Sequence, residues 1–418
     1  MTGKALLVAY GGGHITMMAP VIAALQKRGV DCTVMALTTG YRKALQLGLQ
    51  PLGYRDFSTL IPDADRVLAW GRALLGKNSH PDVSTEESLW YLGVNFAEWV
   101  AQMGEARAWA HYHEHGRRAF YPVSFMWRVL RSVWPDVVIT TNTPRSEGAA
   151  IEAALGLGIP CLSMVDLPVQ PSDPFCQRKC YADRVTAPSD AVMRSLLRAG
   201  LPPDRLVVTG NPAFDTLRSP EAREGALAYR RARGWEGKRV ILYAGHGEEM
   251  PGTPAEWQGV GFGTLVQQWL RDWVASHADD ALIVRYHPSE SHLYPLLPPH
   301  PRMARSEPSV EPLHPVLLAS DIVVVQTSTV GLEAALAARR VLCLTFAASV
   351  KQASYNYPGL GLAEAADSFE DLAHRLAVLG SSPTVDPADY YVGESAQRVA
   401  EEVMTLMHIG AADPPPQR

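Results

Sequence analysis

The sequence predicts an α/β protein with two doubly wound parallel-sheet domains. Short β-rich apolar runs alternate with stretches of helical periodicity, which indicates parallel strands joined by crossover helices. The runs form two sets, because the strands restart after a Pro- and Arg-rich stretch at about 211–238. At 418 residues the chain is also too long for one ordinary core. A TIM barrel is the alternative fold, and the restart favours two sheets.

The strand runs also set the predicted domain limits. The first set is ALLVAY, CTVMAL, DVVITT, IPCLSM and RLVVTG, and the second is RVILYAG, ALIVRYH, DIVVVQ and RVLCLTF. We assign domain one to 1–205 and domain two to 206–393. Long helical patterns at about 57–135, holding six of the ten tryptophans, predict a helical insertion in domain one. An amphipathic helix at 394–410 can return to domain one, and 411–418 is predicted to be a disordered tail.

Composition narrows the class of protein. A net charge of −5 with scattered Lys and Arg gives no general electrostatic reason to bind nucleic acid. The five cysteines lack paired spacing, so neither a disulfide framework nor a zinc ribbon is indicated. No run approaches the roughly 20 apolar residues that span a bilayer. We expect a cytoplasmic protein, with peripheral contact at the inner face of the membrane left open.

Three glycines and a histidine follow the first predicted strand. Glycines at a strand-to-helix turn let the backbone approach a ligand. Gly12 and Gly13 are therefore predicted to contact the ligand. His14 would point into the crevice above the strand ends, where an imidazole can act as a general base. The alternative is that His14 only caps the helix. The dinucleotide pattern GxGxxG is not satisfied, so NAD binding is not indicated.

The second half repeats this arrangement in VILYAGHGEEM, with Gly245, His246 and Glu248 after a strand. Together with GGGHITMMAPVIAALQKRGVDCTV, the sequence resembles the GT-B class of nucleotide-sugar glycosyltransferases. The resemblance implies two Rossmann-like domains facing a cleft. It also implies that His14 deprotonates an acceptor hydroxyl.

Three segments point to the nucleotide-sugar site of domain two. VVTGNPAFDTL, with Gly210 and Asn211, resembles the TGNP segment of UDP-GlcNAc 2-epimerases and related transferases. LIVRYHPSES resembles the HP motif with which sialyltransferases and capsule transferases hold the nucleotide phosphate. This segment supplies Arg285, His287 and Pro288. His287 could instead be a structural histidine.

The third segment is ASDIVVVQTSTVGLEAALAARRVLCL, where hydroxyl residues precede a helix that starts at about Val330. Free N–H groups and the helix dipole favour a diphosphate there, or the helix is simply capped. The hydroxyl residues are Thr327, Ser328 and Thr329. By resemblance, Glu333 would accept hydrogen bonds from the ribose.

The likeness to 2-epimerases, from about 135 to 350, fails in detail. Their aspartate falls at Asn142, an amide that cannot exchange protons. Their glutamate is replaced by Asp166, which can orient His14, bind the acceptor, or be an exposed loop carboxylate. Glycosyl transfer needs only a base, donors for the leaving diphosphate and alignment of two substrates.

Acceptor binding is assigned to Asn142, Arg145 and Arg118. The segment TTNTPRSEGAAIEAA places Thr143, Arg145 and Glu147 at a strand-to-helix turn in the same crevice, where Arg145 can hold an anion. Arg118 belongs to the Arg- and aromatic-rich end of the insertion, which can bind an acceptor, meet a membrane or pack as core. No strand-end DxD pair is found, so no metal ion or other cofactor is expected. His111 and His115 share a helix face but lack a carboxylate partner.

We therefore expect a metal-independent GT-B glycosyltransferase of glycan biosynthesis. It would move a sugar from a UDP- or CMP-type donor to a glycan, lipid-linked or small-molecule acceptor, and a homodimer is left open. One alternative is an isomerase or hydrolase like the 2-epimerases. The other is a non-catalytic nucleotide-sugar-binding partner of an assembly complex.

Overall fold

The computed structural model describes residues 3–76, 80, 82–248, 261–288, 290–294, 298–353, 356–378 and 393–412. Contacts divide the chain into two compact units. Unit 1 runs to Ala213 and includes the last helix, and unit 2 begins at Phe214. The sequence predicted the change of domain after residue 205, eight residues earlier.

Unit 1 contains a sheet of seven parallel strands. They are β1 (Lys4–Tyr10), β2 (Asp31–Leu37), β3 (Pro51–Leu52), β4 (Val137–Thr141), β5 (Cys161–Met164), β6 (Arg184–Ala187) and β7 (Leu206–Val208). Their order in the sheet is β3-β2-β1-β4-β5-β6-β7. Alternate residues of β1 enter two different core clusters, with Leu6 in one and Leu7 in the other. Both faces are therefore covered, which is why the strands are continuous apolar runs.

Nine α-helices of unit 1 lie within the described residues. They are α1 (Gly12–Lys27), α2 (Thr39–Gln46), α3 (Ala64–Leu75), α4 (Thr85–Met103), α5 (Glu105–His115), α6 (Val123–Val133), α7 (Ser146–Leu157), α8 (Asp190–Arg198) and α15 (Ser395–Ala412). Serine caps fix where some of them begin: Ser84 accepts the N–H of Glu87 at α4, and Ser189 accepts that of Val192 at α8. In α1 the cap position is Gly11, which has no side chain to fill it.

The predicted helical insertion is confirmed between β3 and β4, where α3 to α6 lie. Helices α3 and α4 touch backbone to backbone. A β carbon at Gly93 would lie 2.1 Å from the carbonyl oxygen of Val67, and one at Gly71 would lie 2.2 Å from that of Leu89. Only glycine permits this approach at either position.

Helix α15 packs on α1 in unit 1. Its buried face belongs to the core cluster that also contains Leu7 of β1. The residues of that face are Ala396, Val399, Ala400, Val403 and Leu406. Residues 413–418 of the predicted disordered tail lie outside the described residues.

Unit 2 contains a second parallel sheet, of six strands. They are β8 (Arg239–Gly245), β9 (Asp280–Tyr286), β10 (Met303–Arg305), β11 (Ile322–Val325), β12 (Arg340–Leu344) and β13 (Glu364–Ala366). The helices are α9 (Pro220–Arg231), α10 (Gly261–Ser276), α11 (Leu313–Leu318), α12 (Val330–Leu336), α13 (Ala348–Gln352) and α14 (Phe369–Ala377). The strand order is β10-β9-β8-β11-β12-β13.

Each sheet reverses its strand order once, and the reversals locate the candidate sites. In unit 1 the chain builds outward from β1 through β2 to β3, then returns so that β4 pairs with the other side of β1. In unit 2 the same reversal lies between β8 and β11, which pair with each other. Ligands of open α/β sheets bind in the crevice at the carboxyl ends of the two strands that flank such a point. Two Rossmann-like parallel-sheet domains are therefore confirmed.

Within the described residues, no helix combines the length and the apolar composition needed to cross a bilayer.

Candidate active site

The turn between β1 and α1 places His14 at the strand reversal of unit 1. Gly11 has a φ of 102°, a conformation that favours glycine, and this lets the chain pass directly from the strand into the helix. A β carbon on Gly40 would lie 3.1 Å from the carbonyl oxygen of Gly11, so the next crossover also packs closely on the turn. His14 lies in the first turn of α1 with 20% of its side chain exposed.

His14 lies between two carboxylates supplied by distant parts of the chain. Its Nδ1 is 3.2 Å from Oε1 of Glu147 and 3.2 Å from the hydroxyl of Thr143. Its Nε2 is 3.3 Å from Oδ2 of Asp166. Glu147 begins α7 after β4, and Asp166 follows β5, so three crossover turns meet at one edge of the sheet.

The Glu147 carboxylate is fully buried but saturated with hydrogen bonds. Its Oε1 accepts the backbone N–H of Tyr10 at 2.6 Å. Its Oε2 accepts the hydroxyl of Thr141 at 2.6 Å and the N–H of Thr143 at 3.0 Å. Burial alone would raise the pKa of Glu147, but the charge of His14 and these hydrogen bonds lower it. Glu147 is therefore an ionised group inside unit 1.

The two carboxylates control the charge of His14. Burial alone would lower the pKa of His14, but the charge of Glu147 and the hydrogen bonds to Asp166 and Glu147 raise it to about 10. A pKa of about 10 keeps the ring protonated at neutral pH. A general base must be unprotonated to accept a proton, so the predicted role of His14 requires a change in this environment.

Two of the three predicted acceptor residues lie at this turn. The carbonyl oxygen of Asn142 accepts a hydrogen bond from Nη2 of Arg178 at 2.9 Å. The guanidinium of Arg145 lies 4.6 Å from the ring centre of Tyr10 and donates to its hydroxyl. Arg118 is exposed in a short 3-10 helix that follows α5. Within the described part of the chain, Arg118 makes no hydrogen bond or ion pair with Asn142 or Arg145.

Asn211 and Gly210 lie in unit 1, although the sequence analysis assigned them to the nucleotide site of domain two. Gly210 has a φ of 85° just after β7. The Nδ2 of Asn211 donates to the carbonyl oxygen of Asp166 at 2.8 Å, and its Oδ1 accepts the N–H of Ala213 at 2.9 Å. The side chain thus fixes the loop that carries Asp166.

In unit 2, the turns after β8 and β11 meet at the second strand reversal. The Nε2 of His246 lies 2.9 Å from the hydroxyl of Thr327, which places two predicted nucleotide-binding residues together. A β carbon on Gly245 would lie 2.6 Å from the ring of Tyr243, so this position requires glycine. The contact between His246 and Thr327 joins the turn after β8 to the turn after β11.

Glu248 has partners within unit 2. Its carboxylate accepts the N–H of Ala348 and the hydroxyl of Ser349, each at 2.5 Å, and Nε2 of Gln326 at 2.9 Å. It therefore caps the start of α13. Its predicted contact with a nucleotide sugar stays a prediction and would compete with these bonds.

The LIVRYHPSES segment contributes one buried and two accessible residues. Arg285 donates to the hydroxyl of Ser306 at 2.6 Å and to the carbonyl oxygen of Glu311 at 3.0 Å. Burial lowers the pKa of Arg285. His287 and Pro288 follow β9, and the N–H of His287 donates to Gly245 at 3.2 Å. Partial desolvation of the ring lowers the pKa of His287, which favours its neutral form, although the side chain keeps contact with solvent.

The predicted hydroxyl cluster lies at the start of α12, which begins at Val330 as expected. Thr329 is the cap residue, and the N–H of Val330 approaches the Ser328 hydroxyl at 3.4 Å. Glu333, one turn inside, pairs with Nε2 of His314 at 2.9 Å. The Nδ1 of His314 in turn lies 2.8 Å from the hydroxyl of Thr216.

The sequence analysis placed Glu147 in the crevice without giving it a role, and it did not name His314. A charged residue followed by an alanine-rich apolar segment, as in SEGAAIEAAL, is the signal that could have indicated the role of Glu147. A glutamate there is buried and needs a partner of opposite charge. His314 carries no such signal, since it stands beside prolines in an ordinary segment.

Among the residues that the structure describes, no group of three or more His, Cys, Asp or Glu side chains is placed to hold a metal ion.

Comparison with known proteins places this geometry in a structural class. A sequence profile described as Glycosyltransferase Family 4 matches residues 11–213. The S. aureus MnaA–UDP co-structure is similar over 99% of this chain and 99% of that chain, with 15% identity and a TM-score of 0.60. The UDP-GlcNAc 2-epimerase of Neisseria meningitidis bound to UDP-GlcNAc covers 96% of this chain and 100% of its own, with 15% identity and a TM-score of 0.59.

A transferase has the same architecture. The spinosyn forosaminyltransferase SpnP covers 98% of this chain and 100% of its own, with 14% identity and a TM-score of 0.52. No curated protein sequence matches the chain. At these identities the likeness concerns the fold, and the chain has the GT-B fold. This fold carries both sugar-nucleotide epimerases and glycosyltransferases, so function has to be argued from the site.

Proposed function

We propose that the protein is a glycosyltransferase that moves a sugar from a UDP- or CMP-type donor to an acceptor hydroxyl. The observation that carries the proposal is the cluster of His14, Glu147 and Asp166 at the strand reversal of unit 1. It offers a proton-accepting group on an exposed edge, supported by a buried charge. The reaction needs no metal ion in this proposal, and a cytoplasmic location suits a nucleotide-activated donor.

The donor is assigned to unit 2. Its turns after β8 and β11 bring His246 and Thr327 together at the strand reversal. Helix α12 begins just after Thr327, and the N–H of His287 donates to the carbonyl oxygen of Gly245. Free N–H groups and hydroxyls in such turns suit a phosphate or diphosphate. The similar structures that contain UDP and UDP-GlcNAc support this assignment.

The acceptor is assigned to unit 1. Arg145 and Asn142 flank the His14 cluster and would bind polar or anionic groups of a glycan, a lipid-linked or a small-molecule acceptor. Arg118 would act from the insertion. Because Arg145 stacks on Tyr10, its guanidinium is held next to the turn that precedes His14.

A 2-epimerase-like activity is the second candidate, because most of the similar structures are UDP-GlcNAc 2-epimerases. The observation against it is Asn142, which stands where those enzymes would have a proton-exchanging aspartate by the sequence resemblance. An amide cannot remove or return the proton that epimerisation requires.

Product analysis separates the two candidates. UDP- and CMP-sugars are incubated with the protein, with and without an acceptor panel, and the products are identified by mass spectrometry. A transferase leaves the donor nearly intact until an acceptor is added. Conversion of the donor alone to an epimer or a free nucleotide would favour the second candidate. Asp190→Asn, an exposed carboxylate of unit 1, is the control variant and should behave as wild type.

A nucleotide panel identifies the donor base independently of turnover. UDP, CMP, GDP and dTDP are compared by thermal unfolding, since a ligand that binds only the folded state stabilises it by about 2.7 kcal/mol at a hundredfold excess over Kd. We expect UDP or CMP to raise the midpoint most. Equal shifts for all four would argue against a specific base.

A further inference from the structure

The His14 ring has a carboxylate oxygen opposite each of its nitrogens. Nδ1 faces Oε1 of Glu147 at 3.2 Å, and Nε2 faces Oδ2 of Asp166 at 3.3 Å. A neutral imidazole carries one N–H, whereas an ionised carboxylate only accepts. Both contacts are hydrogen bonds only when His14 is an imidazolium. Nδ1 also lies 3.2 Å from the hydroxyl of Thr143, whose oxygen can accept the same N–H. In this state the ring has no lone pair with which to act as a base.

The charged groups around the ring favour the same state. Glu147 on α7 and Asp166 after β5 face it directly, and both are acidic. Two arginines of the same region have partners other than His14. Arg145 donates to the hydroxyl of Tyr10, and Arg178 donates to the backbone carbonyl oxygens of Asn142 and Thr143.

The two carboxylates differ in access. The side chain of Glu147 is fully buried and saturated by Tyr10, Thr141 and Thr143. The side chain of Asp166 is 23% exposed. Only Asp166 can therefore meet a substrate while keeping its contact with His14.

We propose that Asp166 is the group that receives the proton of the acceptor hydroxyl, and that His14 is a positively charged positioning residue that holds it. This inference rests on the proposed glycosyl transfer. It reverses the roles that the sequence suggests, in which His14 is the base and Asp166 orients it.

Asn211 completes the arrangement. Its Nδ2 donates to the carbonyl oxygen of Asp166 at 2.8 Å, so the backbone that carries the carboxylate is fixed from one side and the carboxylate is held by His14 from the other. Asn211 is thus a positioning residue of unit 1 in this proposal, and not a contact to the nucleotide.

In the proposed step, a proton moves to Asp166 and the sugar moves to the acceptor oxygen. The acceptor O–H bond breaks, and its proton passes to a carboxylate oxygen of Asp166. The acceptor oxygen forms a bond to the anomeric carbon of the donor sugar, and the bond from that carbon to the phosphate oxygen breaks. The electron pair leaves with the nucleotide phosphate. His14 keeps its charge throughout and holds the carboxylate of Asp166 in position.

The charge of His14 is tested directly by NMR, without any substrate. Protein labelled with 15N-histidine is measured at about pH 7.5, where an unperturbed histidine is neutral, and the His14 signals are identified by their loss in His14→Gln. We expect protons on both ring nitrogens. A ring with one protonated nitrogen would overturn the inference, whatever the enzyme does.

Kinetics test the assignment of the proton acceptor. Asp166→Asn keeps the shape of the side chain but cannot take a proton, and we expect kcat to fall about 100- to 10,000-fold. His14→Gln keeps an N–H donor toward Asp166, so a loss of about tenfold is expected if hydrogen bonding is its main role. Asn211→Ala should lower kcat and leave the KM for the donor unchanged.

The outcomes exclude one another. A loss in His14→Gln as large as in Asp166→Asn would restore His14 as the base and overturn the proposal. A raised donor KM in Asn211→Ala would return Asn211 to the nucleotide site. If the wild-type protein transfers no sugar, the proposed function fails and the assignment of Asp166 falls with it. The NMR result then still decides the charge of His14.

Discussion

Glu147 shows how unit 1 keeps a charge in its interior. An isolated carboxylate would be neutral in such a place, because burial penalises the ionised form. Here two backbone N–H groups, a threonine hydroxyl and the His14 ring surround it. The residue therefore couples the stability of the sheet edge to the protonation of His14.

Replacing Glu147 by Gln should lower the pKa of His14 from about 10, because the largest favourable interaction with the imidazolium is removed. The unfolding free energy should fall by about 3 kcal/mol, since a buried ion pair loses one partner. The pKa is read by NMR titration and the stability by urea unfolding. Glu86→Gln, an exposed carboxylate of α4, should change neither quantity. An unchanged His14 titration in Glu147→Gln would contradict the pairing.

The stability of the protein should depend on pH through His14. Its folded-state pKa of about 10 lies above the ordinary 6.5, so its contribution is complete below about pH 6.5 and is lost as the pH rises to about 10. The difference in unfolding free energy between wild type and His14→Gln should therefore shrink from neutral pH to about pH 10. His113→Gln, an exposed histidine of α5, is the control and should show no such trend. A constant difference would show that His14 does not titrate in this range.

At the residue scale, the sequence identified His14 and Asp166 and placed Glu147 in the same crevice, but it did not pair Glu147 with His14. Glycines after a strand are a local signal, so the His14 turn could be predicted from adjacent residues. The pairing with Glu147 joins positions 133 residues apart, and only the strand order β1-β4 brings them together. For Asn211 the motif was recognised but placed in the wrong unit, because its contact with Asp166 is set by the order of β5, β6 and β7.

Among the elements, the crossing of α3 and α4 depends on two glycines. A β carbon at Gly93 would lie 2.1 Å from a backbone oxygen, well inside contact distance. In an open helix, glycine costs about 1 kcal/mol relative to alanine. Here the two helices cannot approach each other without glycine, so helix packing outweighs the low helix propensity of glycine.

Gly93→Ala should accordingly destabilise the protein, by roughly 2 kcal/mol or more, because the added methyl group forces the two helices apart. Urea unfolding measures the loss. Gly237→Ala, where an added β carbon meets nothing within 4 Å, is the matched control and should change stability little. A gain in stability for Gly93→Ala would mean that the helices are not in backbone contact.

The elements themselves were largely predictable from the sequence. Continuous apolar runs such as DVVITT and DIVVVQ became β4 and β11, because a strand covered on both faces needs no polar residue. The helix after Thr329 begins at Val330, as its hydroxyl residues indicated. The backbone contact of α3 with α4 could not be predicted, since Gly71 and Gly93 gain their meaning only from the partner helix.

For the whole molecule, the division into two units follows from the two sets of strands, and the GT-B fold agrees with the resemblance noted in the sequence. The exact residues at which the chain changes unit are less predictable than the two sets of strands. The chain crosses from unit 1 to unit 2 after Ala213, near the start of the Pro- and Arg-rich stretch. It comes back for α15, in the segment that the sequence analysis left free to return to domain one.

Helix α15 should stabilise unit 1 alone. Val403→Ala removes two buried methyl groups from the cluster shared with β1 and should cost about 2 kcal/mol. Hydrogen exchange should show faster exchange in β1 and β4 and no change in β8 and β9. Thr405→Ala, on the exposed side of the same helix, should leave both units as they are. Faster exchange in β8 would show that α15 supports unit 2.

Because the polypeptide leaves unit 1 once and rejoins it at α15, unit 2 is in topological terms a long insertion within unit 1. Two recombination events in a gene, one near each junction, would exchange the whole of unit 2 and leave the His14 turn and its supporting helix untouched. With the donor in unit 2 and the acceptor in unit 1, as proposed, a lineage built in this way can acquire a new donor while it keeps its acceptor chemistry.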